Sequence, residues 1–420
     1  MTSDQAVSTV QLSEVRFGDL IISFTGMFAF RWNDKGSGGK HDVSFFHPVC
    51  KNGFFPLGSV GVGGYYDINN GMAVMCVKAA PGTNALAHPV DYIYIWNDSR
   101  SGSKMDGSCW RPVPPQGYVS LGDVFVGNHN KPSLKDVVCV RSDLTYSGIV
   151  GDWIYDDSGS GAREDFSAHK ICVSGQLYDQ DFGLFAPGTF IGNRNHAKPQ
   201  TVPSVLRLPL PTTKFNDSLA PILNGKHSPT KSTPPVLDRE VIIPMTSVND
   251  NEFPISWKLQ NSPFYYMQRE NFYTLLAFQD NETSDKGTLK YQYESGIEKE
   301  NSKTWSKKTG ISISAESGFS LFGGEGKISC TVNSELGFEE SNTVREFTNE
   351  TISSEIPVSA KTAVGIWSSS YNIKVLRGDR SQIGPALMLK TPSVAISQYP
   401  NLTVSIVQHD EFNNRKKHKH

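Results

Sequence analysis

Apolar and small polar residues alternate most persistently over residues 311–338. Ile311, Ile313, Ala315, Ser317, Phe319 and Leu321 fall on one face of an extended chain, opposite Ser312, Ser314, Glu316, Gly318 and Ser320. A glycine-rich tip follows at 322–327. The pattern then resumes, with Ile328, Cys330, Val332, Ser334, Leu336 and Phe338 on one face and Ser329, Thr331, Asn333, Glu335 and Gly337 on the other. Folding back about the tip predicts that Leu321 faces Ile328 and Ile311 faces Phe338, so the apolar positions of both arms coincide.

Two readings fit this hairpin. One is an ordinary half-buried hairpin of a soluble sheet. The other is a membrane hairpin, since a tilted strand of about 9 to 11 residues crosses the hydrocarbon layer and each arm is that long. One hairpin cannot satisfy its backbone groups in lipid, so the second reading implies a ring of several copies closing a barrel. Its lipid face is Ile311, Ile313, Ala315, Phe319, Leu321, Phe322, Ile328, Cys330, Val332, Leu336 and Phe338. Its lumen is Ser312, Ser314, Glu316, Thr331, Asn333 and Glu335, where rings of carboxylate favour cations. The flanks, 288–305 and 341–356, stay alternating and rich in Ser and Thr, with fewer large aliphatics than a core-forming sheet carries, and they favour the membrane reading.

The first half repeats itself three times. Residues 32–44 (WNDKGSGGKHDVS), 96–108 (WNDSRSGSKMDGS) and 155–167 (YDDSGSGAREDFS) align without a gap. Downstream, 53–60, 117–124 and 183–190 echo one another, and buried-strand runs around Cys76 and Cys139 follow in two copies. A period of roughly 60 residues suits a four-stranded sheet with its turns, and three such sheets about an axis make a β-prism over about residues 10–210. Gly38, Gly102 and Gly161 supply backbone freedom, while Asp34, Asp98 and Asp157 can bond their own turns. Turn chemistry alone accounts for these residues. Equally, the loops suit three equivalent sites for a sugar hydroxyl, a lipid headgroup or a cation, with Asp42, Asp106 and Asp165 beside Lys40, Lys104 and Arg163.

Composition agrees with a β-rich chain. Its 420 residues include 37 Gly, 24 Pro and 23 Phe, enough for two or three domains. A formal net charge of −2 gives no reason to expect a nucleic-acid partner. Only the tail at 411–420 is strongly basic. No apolar run has the length of a membrane helix, and residues 1–14 lack the pattern of a secretory signal, so the expectation is a chain made soluble and released by lysis or an unconventional route. Cys50, Cys76, Cys109, Cys139, Cys172 and Cys330 lack metal-type spacing and read as mostly free, small hydrophobes.

The segment from Tyr92 to Val140, YIYIWNDSRSGSKMDGSCWRPVPPQGYVSLGDVFV and onward to VVCV, resembles the vacuolar protein sorting-associated sixty-two family. That resemblance covers the first half and implies a threefold β-prism similar to those of multivesicular-body-associated and toxin proteins, some of which bind membranes. Residues 211–238 are a Pro, Ser and Thr mixture that suits an exposed spacer. Lys214, Lys226 and Lys231 also make it a candidate for activating cleavage by trypsin-like proteases. From 239 to about 410, the long Ser/Thr-rich strands, the central hairpin and residues 356–362 (IPVSAKT) resemble the aerolysin-type pore-forming module. This implies an elongated antiparallel β module whose hairpin lies against the body of the soluble form and swings out after oligomerisation. Several resembling toxins act on insects.

The fold class expected is therefore all-β, a threefold β-prism (1–210), a linker (211–238), an aerolysin-like module (239–410) and a basic tail (411–420). Function follows as a β-barrel pore-forming toxin that binds a glycan, lipid or protein receptor on a target membrane and acts as a homo-oligomer. The alternative is a lectin-like carbohydrate- or lipid-binding protein whose second half is a rigid stalk. No catalytic motif, metal-ligand spacing or phosphate-cradling loop supports an enzyme, a metal or a cofactor. Arg377, Gly378 and Asp379 spell an integrin-like triplet that a turn explains better.

Overall fold

A computed structural model of the chain describes residues 12–174, 182–314, 318–322, 327–338, 346–347 and 351–408. The basic tail lies outside them. The fold is all-β, as alternation and composition predict, with antiparallel sheets throughout save one short parallel pair. Among the described residues, no helix is long and apolar enough to cross a membrane.

In the first half each repeat begins as a hairpin, and the repeated motif forms its connection. Phe28–Asn33 pairs with Val43–Pro48, Asp91–Asn97 with Ser108–Val113, and Ile149–Asp156 with Ser167–Cys172. A third strand joins each hairpin: Val60–Gly63, Val124–Val126 and Phe190–Asn193. The expectation of one four-stranded sheet per copy is corrected here, because each copy builds two sheets. The second set is ordered around Val74–Ala79, Cys139–Arg141 and Ser204–Leu208. The glycine-containing echo carries the chain between the two sheets: Gly53 and Gly117 take positive φ just ahead of Phe55–Pro56 and Tyr118–Val119, and in the third copy Gly188 does so where the chain returns to the first sheet. Trp32, Trp96, Tyr155, Phe45, Phe125, Phe166 and Phe190 pack between the copies. Phe45 stacks on Phe125 at 4.1 Å and Trp96 on Phe166 at 4.9 Å.

The cysteines depart from expectation in one pair. Cys50 and Cys76 form a disulfide, while Cys109, Cys139, Cys172 and Cys330 are free and buried.

The second half is a six-stranded antiparallel sheet in the order Thr212–Lys214, Val236–Pro244, Phe264–Asn281, Thr362–Leu376, Leu387–Tyr399, Thr403–Gln408. Phe264–Asn281 runs for 18 residues, roughly 60 Å of extended chain, so this half is elongated. Gly287–Glu294 and Thr351–Val358 form a separate two-stranded sheet. Its inner positions Leu289, Tyr291 and Tyr293 are buried.

Two stretches differ from what the sequence led us to expect. Residues 211–238 are not a free spacer, because Thr212–Lys214 pairs with Val236–Pro244 and Leu223 is buried with its N–H on Ser397 Oγ. The strand-like reading of 288–305 also fails beyond Ile297–Glu298, where Lys299–Thr309 is an α-helix. Ser302, Trp305 and Thr309 are buried at helical spacing, and Gly310 at φ 76° closes the helix.

A third sheet joins the halves. Its order is Thr145–Ser147, Ser204–Leu208, Gly183–Phe185, Ile328–Thr331, Gly318–Phe322, Ile311–Ser314. Three strands come from the third repeat and three from the alternating segment, and one apolar core runs under both, from Phe17 and Leu208 to Trp305 and Leu389.

Candidate functional site

The alternating segment is folded, but not as two long arms. Ile311–Ser314 pairs with Gly318–Phe322 in the register Ile311↔Leu321 and Ser314↔Gly318. Gly318–Phe322 then pairs with Ile328–Thr331, placing Leu321 opposite Cys330. The predicted pairings of Leu321 with Ile328 and Ile311 with Phe338 are therefore replaced by a three-stranded meander. Gly318 explains the break, since it sits at φ 62° and a Cβ there would lie 2.2 Å from Asn333 Oδ1. That oxygen instead accepts the N–H of Phe319 at 2.9 Å. Past Thr331 the second arm stops, and Leu336, Gly337 and Phe338 donate to Val332, Ser334 and Asn333 in a turn.

Of the predicted lipid face, Ile311, Phe319, Leu321, Ile328, Cys330, Val332, Leu336 and Phe338 are buried in the shared core, and Ile313 packs against it. Burial pushes the Cys330 thiol well above its ordinary value. Phe319 meets Trp305 edge-on at 5.7 Å, and Phe338 meets Tyr371 at 5.6 Å. Of the predicted lumen, Ser312 is exposed, Ser314, Asn333 and Glu335 are half-buried, and Thr331 is buried. Ala315 and Glu316 lie outside the described residues, and Phe322 is placed by its backbone in Gly318–Phe322. Ser320 and Ser329, on the polar side of the pattern, are buried too. Ser329 Oγ and Trp305 Nε1 are buried without a hydrogen-bond partner. An unmade buried bond of this kind costs about 1–3 kcal/mol.

An arginine holds the end of the segment, and sequence reading missed it. Arg269 donates from Nε and Nη2 to buried Asp238 at 3.0 and 2.7 Å, and from Nη1 to the carbonyl of Gly337 at 3.1 Å. Its guanidinium lies 5.2 Å from the Phe338 ring and 4.4 Å from that of Tyr371. The available signal was the polar run 268–271 (QREN) set between apolar residues 264–267 and 272–273 of one long strand.

At the repeats, the three loops close on one another. Lys104 N donates to Lys35 O, Arg163 N to Ser99 O, and Lys40 N to Ser158 O, each at 2.9 Å. Gly38, Gly102 and Gly161 all take positive φ, as turn chemistry demands. Asp34, Asp98 and Asp157 are buried, and their Oδ1 atoms accept the N–H of Val43, Gly107 and Phe166. Each copy also reaches into the next, with Trp32 Nε1 donating to Asp98 at 3.0 Å and Trp96 Nε1 to Asp157 at 3.1 Å. Burial pushes the Asp157 carboxyl up, against the opposing pull of the Phe166 N–H and His196.

Two histidines outside the motif complete these loops. His129 Nε2 lies 2.7 Å from Asp98 Oδ1 and 4.0 Å from Asp106, and His196 Nε2 lies 2.7 Å from Asp157 Oδ1 and 3.7 Å from Asp165. In the first copy Tyr65 takes this place and donates to Asp42 at 2.8 Å. The parallel runs 127–132 (GNHNKP) and 192–199 (GNRNHAKP) carried the signal for these histidines. A backbone N–H, an indole N–H and an imidazole thus meet on the one Asp98 carboxylate. Asp98→Ala is expected to cost about 1–2 kcal/mol, because Trp32 keeps its bond to Met105 O while Gly107 N–H loses its own; thermal unfolding measures it.

Among the candidate cleavage sites, Lys214 lies in the edge strand Thr212–Lys214, Lys226 Nζ sits 4.0 Å from Asp280, and the Lys231 carbonyl accepts Leu275 N–H. Arg377 of the integrin-like triplet is buried and bonded to Asp250 and Glu252, so it is a turn anchor.

Comparisons with known proteins divide at the same place as the chain. Residues 3–209 match the family model described as vacuolar protein sorting-associated protein 62. Residues 236–392 match the one described as insecticidal crystal toxin, P42. No curated protein sequence matches. Among solved structures, GNIP1Aa from Chromobacterium piscinae aligns at 30% identity and TM-score 0.38 over 43% of this chain, which is 34% of that one. Cry35Ab1 aligns at 11% identity and TM-score 0.36 over 92% of this chain and 91% of that one. The chain is thus similar to vacuolar protein sorting-associated protein 62 over its first half and to the insecticidal crystal toxin family over residues 236–392.

Proposed function

We propose that this protein is an insecticidal toxin that permeabilises membranes. Its first half docks on a glycan, lipid or protein of the target-cell surface, copies assemble, and the 311–338 segment leaves the body to line a β-barrel of the aerolysin type. One observation supports this above the others. The segment alternates apolar and polar positions along its length, and its folded place uses that alternation only in part, since Ser320, Ser329 and Thr331 are buried along with the apolar face. A barrel, with lipid outside and water inside, would use both faces. The insect target rests on the family matched by residues 236–392. In this reading the protein performs no covalent chemistry, and it reaches its target after release from the producing cell.

Dye release from insect midgut brush-border vesicles and from protein-free liposomes, with detection of detergent-resistant oligomers, tests the reading. Release with oligomers is the expected result. Binding without release from either membrane would leave a lectin-like module with a rigid stalk. Parallel samples treated with trypsin decide whether cleavage at Lys214, Lys226 or Lys231 activates the protein.

A further inference from the structure

The three repeats are unequal in one respect. Phe55–Pro56, Tyr118–Val119 and Gly183–Phe185 occupy the same place in the repeat, each paired with the central strand of its sheet. Among the described residues the first two end their sheets, and only Gly183–Phe185 carries a further strand. That strand is Ile328–Thr331, in the register Leu184↔Ser329 and Phe185↔Ile328, extended by Ala186 N–H donating to Lys327 O at 2.8 Å. The first copy has Pro56 where the third has Ala186, and proline has no N–H to offer a neighbouring strand. Both sides of the seam are dry, with Leu184, Phe185, Ile328 and Ser329 buried.

We propose that Gly183–Phe185 is a clamp: the surface-docking half holds the membrane segment through main-chain pairing, and the segment leaves only when this seam opens. The proposal rests on the reading that the segment leaves at all. It makes the first half more than an address, because any movement that docking imposes on the third repeat acts directly on hydrogen bonds to the segment. Opening the seam bares an unpaired edge on each half, so the freed segment is driven to pair elsewhere.

A reversible cross-link tests the clamp. Gly183 stands opposite Cys330, and a Cβ on it would lie 3.4 Å from Cys330 Cβ, close to the roughly 3.5–4.5 Å of a disulfide. Gly183→Cys in the full chain is the first variant. Because the new Cβ would lie 2.6 Å from the Phe185 ring, Leu184→Cys with Ser329→Cys, a directly paired couple, is the second. Two readouts are taken on midgut vesicles, with and without dithiothreitol, and mass spectrometry confirms the bond. One is dye release. The other is labelling of Cys330 in wild type and in the double variant by a maleimide present throughout binding, which catches the thiol as the segment leaves the core and before it faces lipid, with buried Cys109 as the internal control. Wild type under the same reductant controls for loss of Cys50–Cys76.

Wild type is expected to become labelled at Cys330 while it acts on membranes, and the cross-linked chains to lose at least tenfold of labelling and release, both restored when the bond is reduced and the reductant removed before labelling. Cross-linked chains that release dye like wild type would overturn the clamp alone. Wild type that binds membranes but neither labels at Cys330 nor releases dye would overturn the underlying reading that the segment leaves.

Discussion

Replacing Arg269 with alanine is expected to lower the unfolding free energy by about 3–5 kcal/mol, the usual loss when one partner of a buried ion pair is removed. Arg269 and Asp238 are both almost fully enclosed, with side chains 5% and 2% exposed. Alanine would leave the Asp238 carboxylate without its two donors and the Gly337 carbonyl without its bond, and would empty the space between Phe338 and Tyr371. Urea unfolding at neutral pH gives the magnitude. A second effect separates this site from an ordinary core pair. Phe338 ends the alternating segment, so Arg269→Ala is also expected to quicken maleimide labelling of Cys330 without any membrane, well below the unfolding midpoint. A loss under about 1 kcal/mol would mean that water reaches Asp238 in the variant. Asp238→Leu with Arg269→Met is expected to recover most of the stability, since an apolar pair leaves no buried charge.

Arg269 also marks where the sequence stops being informative. Repetition made the first half legible: the three WND-type motifs are hairpin connections, and their Asp, Ser and Gly residues hold the turn positions that their chemistry predicts. The partners of those aspartates were less visible, because His129 and His196 arrive from runs 31 and 39 residues downstream, and only the fold brings them in. In the second half, alternation identifies which residues share a face, but it does not say where a strand breaks. The segment turns at Gly318 because Asn333 fills the space a side chain would need, a contact between residues 15 apart. The helix Lys299–Thr309 escaped notice because Ser, Thr and Lys fit an exposed strand as well as they fit a helix surface. Pairing of Gly183–Phe185 with Ile328–Thr331 joins residues more than 140 apart, and no local pattern records it. The disulfide is equally silent, since Cys50 sits in a loop and Cys76 in an apolar strand.

Lysine at position 313 is expected to abolish permeabilisation, whereas lysine at position 312 is expected to leave it within about threefold of wild type. Val332 and Thr331 look like the natural pair for this comparison, one on each face of the arm. Both are buried in the docked form, however, so a charge at either would damage the soluble fold before any membrane was met. Ser312 and Ile313 avoid that difficulty. They lie on the outer strand of the meander, Ser312 exposed and Ile313 only partly covered. In a barrel they separate, Ser312 to the lumen and Ile313 to lipid. A lysine facing lipid costs roughly 2–4 kcal/mol at the bilayer midplane and less towards the rim. Ile313 stands two residues from the start of its arm, near the rim, so its share falls to about 1 kcal/mol. Every copy carries the charge, though, and about 1 kcal/mol per copy multiplies around a ring. Both variants should bind vesicles like wild type, with the urea midpoint unchanged for Ser312→Lys and lowered only slightly for Ile313→Lys, whose side chain packs against the core from its edge, which confirms that the docked form is intact. Equal loss at both positions would remove the assignment of faces, and with it the barrel register; equal tolerance would place the barrel strands outside 311–338.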